Sequence, residues 1–184
     1  MTLPDPIKEF EAILHSITGV VLDSFDAYAL LQAKLEQEAG SFWDVSIYYG
    51  DGPVGEETCV AHVTTVADRI ARNADAGQNA IFVGNMALVA IYSYWEDNFR
   101  KHIAAIRGLE KDALKSDVMG DIRNLRHAIV NNKAVANDSV AKSRVLKWFV
   151  TGDDIFINEQ MVLDLISRVQ TYLHELRSAG PRTL

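Results

Sequence analysis

Asp117-Val118-Met119-Gly120-Asp121-Ile122-Arg123-Asn124-Leu125-Arg126-His127-Ala128-Ile129-Val130-Asn131-Asn132-Lys133 is the stretch on which the reading of this chain turns. At about 100° per residue, Val118, Ile122, Leu125 and Ile129 gather on one narrow apolar face. Arg123, Asn124, Arg126, His127 and Asn131 take the opposite arc, joined by Met119 and Val130. The spacing predicts a helix from Ser116 to Val135 with two arginines, a histidine and amides along one side. Two readings of that side compete: a specific polar purpose, or a solvated face whose arginines pair with Glu96 or Asp97 of the preceding helix.

Outward from this stretch the pattern is helical almost everywhere. The four prolines, at 4, 6, 53 and 181, leave Val54 to Gly180 free for long helices. Asp5 before Pro6 reads as an N-cap with proline at the first helical position. Ile7, Phe10, Ile13, Leu14 and Ile17 follow at helical spacing, and the run continues to Glu38, with Gly19 placed to bend or split it and Gly40 to end it. Trp43, Val45, Ile47 and Tyr49 alternate with polar neighbours, which predicts a short strand or an ordered loop. Further helices are expected over Glu56–Ala74, Ala80–Arg107, Ser139–Val150 and, capped by Asn158, through Leu176. The apolar triplet Ile155-Phe156-Ile157 is a candidate partner for the earlier strand. The expected fold class is all-α, a compact helical bundle with at most one short strand pair, as one domain over 1–184.

Composition narrows the class. At 184 residues and 48% hydrophobic, the chain has the means to build a well-buried core. Its one cysteine, Cys59, excludes an internal disulfide, and nothing points to an oxidising compartment. The amino terminus lacks the basic start and apolar run of a secretory signal, so a cytoplasmic protein is expected. Ala76 to Trp95 has no charged residue, yet Gln78, Asn79, Gly84 and Asn85 interrupt it, which fits a buried central helix better than a membrane span. The net charge is −7, but Arg100 to Lys147 holds eleven Lys and Arg against five Asp and Glu. Such a basic middle marks either an anion or RNA site or merely solvated helix faces.

The run Asp-Ile-Arg-x-Leu-Arg-x-x-Ile-Val followed by a polar pair, preceded by Tyr92-Ser93-Tyr94-Trp95-Glu96-Asp97-Asn98-Phe99, resembles the signature region of the HEPN superfamily. The resemblance covers 90–147. It implies a compact helical bundle that pairs as a homodimer around the signature helix. In many such proteins it also implies a metal-independent endoribonuclease of defence or toxin–antitoxin systems. The family motif is an arginine followed, after four to six residues, by a histidine. Arg126 falls on the motif arginine and Asn131 on the first permitted histidine position, with Asn132 and Lys133 on the later two. His127 lies beside the arginine, where the family often carries a polar residue. The other register, Arg123 to His127, has only three residues between them and is too short. Glu96 falls where some members place an acid near the motif arginine.

The histidine is therefore replaced by an amide at Asn131. Cleaving RNA through its own 2′-hydroxyl needs one proton removed and another delivered; imidazole does both near neutral pH, and an amide does neither. Arginine still stabilises developing phosphate charge. The expectation is an RNA- or partner-binding protein with weak catalysis. An active endoribonuclease using Arg126 with Asn131 or His127, and a non-catalytic dimeric interaction module, are the alternatives. The candidate site is Arg123, Arg126, His127, Asn131 and Glu96. Expected partners are a second copy, RNA, and a cognate antitoxin or nucleotidyltransferase. No cofactor is expected. No metal is expected either, because the histidines at 15, 62, 102, 127 and 174 make no helical ligand pair. Cys59 reads as core, as do Trp43, Trp95 and Trp148.

Overall fold

In the computed structural model, residues 5–40, 42–52 and 59–178 are described. They form helices α1 (Pro6–Ala39), α2 (Val66–Arg72), α3 (Gln78–Tyr94), α4 (Arg100–Ile106), α5 (Asp117–Asn131), α6 (Asp138–Ala141) and α7 (Glu159–Ser178), with strands β1 (Ser46–Gly50) and β2 (Val60–Thr65). The chain divides into two compact units, Met1–Leu22 with Val83–Leu184, and Asp23–Phe82. No described helix is long and apolar enough to cross a membrane.

The caps explain where the helices begin. Asp5 accepts the Ile7 amide at 3.0 Å ahead of Pro6. Gly19 neither bends α1 into two elements nor ends it, and Gly40 closes it at φ +46°. Ser116 accepts from the Met119 amide at the start of α5, and Asn158 from the Met161 amide at the start of α7.

In the larger unit the core is aromatic at its centre. Phe10 of α1 stands 5.8 Å from Trp95 and 5.1 Å from Phe99, and Trp95 meets the edge of Tyr172 on α7 at 5.7 Å. Leu14, Ile91, Ile103, Ile122, Leu125 and Leu165 are fully buried around them. Between α3 and α4 the rod passes through one π turn, Trp95–Phe99, in which the Arg100 amide donates to the carbonyl of Trp95, five residues back.

The smaller unit holds β1 and β2 as a two-stranded antiparallel sheet in which Tyr48 faces Val63 and Tyr49 faces His62, with a bulge before Gly50. Leu35, Ala39 and Ile70 form its small core, with Leu31 and Val66 packed against it.

Four sequence expectations need correction. The helix expected over Glu56–Ala74 is strand β2 up to Thr65, and α2 begins at Val66; its first three residues lie outside the described ones. Thr65 fixes that boundary through a reciprocal cap, accepting from the Asp68 amide while its own amide donates to the Asp68 carboxylate. Ile155 and Ile157 do not pair with β1, whose partner is β2. They are held by Asn85 of α3, whose side chain donates to the Ile155 carbonyl at 2.9 Å and accepts the Ile157 amide at 3.1 Å. The helix expected over Ser139–Val150 is only the turn α6, because the amides of Arg144, Val145 and Leu146 turn to the buried Asp121 carboxylate instead of back along a helix. Cys59 and Trp43 are exposed and Trp148 is half-buried; of the three tryptophans, Trp95 alone is core.

Candidate functional site

Helix α5 carries its apolar residues inward as its spacing requires: Val118, Ile122, Leu125, Ala128 and Ile129 are all buried. Met119, expected on the polar arc, is buried too, whereas Val130 is half exposed. Arg123, His127 and Asn131 stand on successive turns of the outer face, all three exposed. Asn131 Nδ2 lies 3.0 Å from His127 Nδ1, so the amide occupies one ring nitrogen and fixes the plane of the imidazole. Arg126 is half-buried, and its Nε is buried without a hydrogen-bond partner.

The helix stops at Asn131, four residues before the expected Val135. Lys133 and Ala134 both adopt left-handed backbone, at φ +53° and +59°. Two consecutive residues with a Cβ in that region are unfavourable by about 1 kcal/mol or more each. They are held there by the Ala134 amide returning to the Ala128 carbonyl, by Asn132 Nδ2 donating to the Val135 carbonyl at 2.7 Å, and by the Ile155 amide donating to Ala134. Asn132 and Lys133 thus leave the helix and do not continue its polar face.

Glu96 sits on the π turn, half-buried, and is already paired. Arg100 reaches it at 2.9 Å and Lys111 at 2.6 Å. Burial pushes its carboxyl up, but the hydrogen bonds from Lys111 and Arg100 outweigh that and hold it below its ordinary range. The expected pairing of Arg126 with Glu96 or Asp97 is not made among the described residues. Glu96 and Arg123 instead line one concavity of about 470 Å³ with Tyr92, Arg100, Lys115 and Arg144. Burial and the neighbouring Glu96 charge raise the Tyr92 phenol, while Arg123, Arg100 and Lys111 pull it down by less.

Two surfaces therefore share α5. Its C-terminal half presents Arg123, His127 and Asn131 to solvent, and its N-terminal half borders the Glu96 concavity. Arg123 belongs to both. Such a surface can attract an anion and orient it by directional donors, and one imidazole is available for proton transfer. Among the described residues no group of histidines, cysteines and acids is arranged to hold a metal. Tyr92, Arg100, Lys111 and Arg144 are not among the site residues expected from the sequence. The Glu96-to-Arg100 spacing of four and the basic surplus over 100–147 were the available signals. Set against protein-family models, curated proteins and solved structures, the chain finds no match.

Proposed function

We propose that the chain is a HEPN-like protein whose α5 face binds RNA through its phosphates, in a bacterial defence or stress system, with weak catalysis. The observation that carries this reading is the ladder of Arg123, His127 and Asn131 on the outer face of α5, none of them engaged in an ion pair among the described residues. Arg126, with its unpartnered Nε a turn away, supplies a second guanidinium. The chain pairs with a second copy along α5, where the half-exposed Val130 borders the polar residues. A cognate antitoxin or nucleotidyltransferase would engage this same assembly.

The test compares wild type, Asn131→His, and Asn131→His with Arg126→Ala on structured and single-stranded RNA without metal. Wild type is expected to bind and scarcely cleave, and Arg123→Ala to reduce the salt slope of binding by about 0.7. Asn131→His is expected to raise cleavage by about 10²-fold or more, and Arg126→Ala to remove the gain. Failure of wild type to bind any RNA would end the reading.

The contact between Asn131 and His127 favours a second reading, an active endoribonuclease. A side-chain amide hydrogen-bonded to an imidazole orients it for acid–base work in the Cys-His-Asn arrangement of papain-like proteases, and the same kind of contact is made here. Here His127 would move the proton and Arg126 would hold the phosphate. Cleavage by wild type that is lost in both His127→Ala and Arg126→Ala is the result that selects it.

A further inference from the structure

The sheet of the smaller unit is unusual for what it leaves uncovered. Tyr48 and Val63 form a cross-strand aromatic and β-branched pair, the kind that stabilises a sheet when covered, yet they are 50% and 49% exposed. Phe42 and Trp43, just ahead of β1, and Val60 at the start of β2 are exposed as well. The outer edge of β1 pairs with nothing among the described residues. Tyr49, on the other face of the ribbon, is 45% exposed as well. A two-stranded ribbon with open aromatic side chains and an open edge is marginal alone and suited to accept a third strand.

Charge decides what that strand is. Asp23–Phe82 contains three basic residues, Lys34, Arg69 and Arg72, against ten acids, so this unit alone carries the chain's whole net charge of −7. Asp44 and Asp51, both exposed, bracket β1 at its two ends. A phosphate backbone would be repelled here, and a second copy would bring two equally acidic surfaces together. We infer that β1 is a docking edge for an extended segment of a partner protein in which basic and apolar residues alternate. Its backbone extends the sheet, its apolar side chains cover Tyr48 and Val63, and its cations lie near Asp44 and Asp51. This inference rests on the smaller unit alone and does not depend on RNA binding at the α5 face.

The experiment uses the full chain and a fluorescently labelled peptide of alternating lysine and valine as probe, read by polarisation. Saturable binding is expected. It should be weakened about tenfold or more by Tyr48→Lys with Val63→Lys, and also by Asp44→Lys with Asp51→Lys, which leaves the apolar face intact. Methylating alternate backbone nitrogens of the probe should abolish binding, because strand addition needs those donors. The proposal is overturned if the probe does not bind, if the methylated or an all-lysine peptide binds equally well, or if either double variant binds undiminished. It is also overturned if Tyr48→Lys with Val63→Lys turns a dimer into a monomer in sedimentation, which would make a second copy the occupant. Loss of single-stranded RNA binding in that variant would overturn it in favour of RNA. Retained RNA binding with no peptide binding removes this inference and leaves the α5 reading standing.

Discussion

The two oxygens of Asp121 are filled by three main-chain amides, those of Arg144, Val145 and Leu146, at 3.1, 2.6 and 2.9 Å. Hydrogen bonds to a buried charged acceptor are among the stronger ones, and an orphaned buried amide is costly. Asp121→Ala is expected to lower stability by about 3 kcal/mol or more, and Asp121→Asn, which keeps one acceptor oxygen, by less. Urea unfolding measures both, and an unchanged midpoint in the alanine variant would show that the 144–146 segment is held by something else. Tyr172 gives a second test. Burial pushes its phenol up to about 12, with Arg100 and Arg107 opposing and Glu175 adding slightly. A folded-state value above the ordinary 10 favours the neutral phenol in the fold. Its contribution is therefore complete below pH 10 and is lost as pH rises from 10 toward 12. Unfolding midpoints across that range should fall more steeply for wild type than for Tyr172→Phe. Near neutral pH the phenylalanine variant should match wild type or exceed it, since the Tyr172 hydroxyl is buried without a hydrogen-bond partner.

Helix interiors separate two glycines that look alike in the sequence. A Cβ on Gly84 of α3 would collide with the Ile157 carbonyl, whereas one on Gly19 of α1 would meet nothing within 4 Å. Gly84→Ala should cost about 1–3 kcal/mol by forcing the Ile155–Ile157 segment away. Gly19→Ala should gain about 0.5–1 kcal/mol from the lower backbone entropy of the unfolded chain. Thermal unfolding of the two variants gives shifts of opposite sign, and a stable Gly84→Ala would disprove the close approach. This pair also shows what was legible. Local chemistry read correctly: the Asp5-Pro6 start, the Asn158 cap, the apolar face of α5 and the stop at Gly40 each depend on neighbours in sequence. What failed depended on distant partners. Val60 and Val63 have helical spacing and are strand because β1 pairs with them. Residues 144–146 are not helix because a carboxylate more than twenty positions away takes their amides. The signal overlooked was local, the Thr65-x-x-Asp68 cap that starts α2 at Val66. At the candidate site, α5 and its outward Arg123, His127 and Asn131 were readable from periodicity. The engagement of Glu96 by Lys111 was not, because the connection between them fixes it.

Taken over all 184 residues, charge is partitioned more sharply than composition suggests. Asp23–Phe82 carries −7, and the remaining residues sum to zero while holding the basic run from Arg100 to Lys147. Association along α5 would place two of these basic runs near a common axis, so it should be sensitive to salt and to charge beside Val130. Sedimentation at tens of micromolar should show a dimer that Val130→Glu shifts to monomer, and a wild-type monomer at that concentration would rule the pairing out. The π turn at Trp95–Phe99 bears on how this chain is lined up with any other. A wide turn holds one residue more than the α-helical turns around it. In a chain that builds the same rod without it, the count from Tyr94 to Arg100 is one shorter. An ungapped alignment through that point would set Glu96 in register while displacing Arg100 and everything after it, α5 included, by one position. A single-residue gap inside an unbroken helix, ordinarily penalised as an error, is here the correct correspondence.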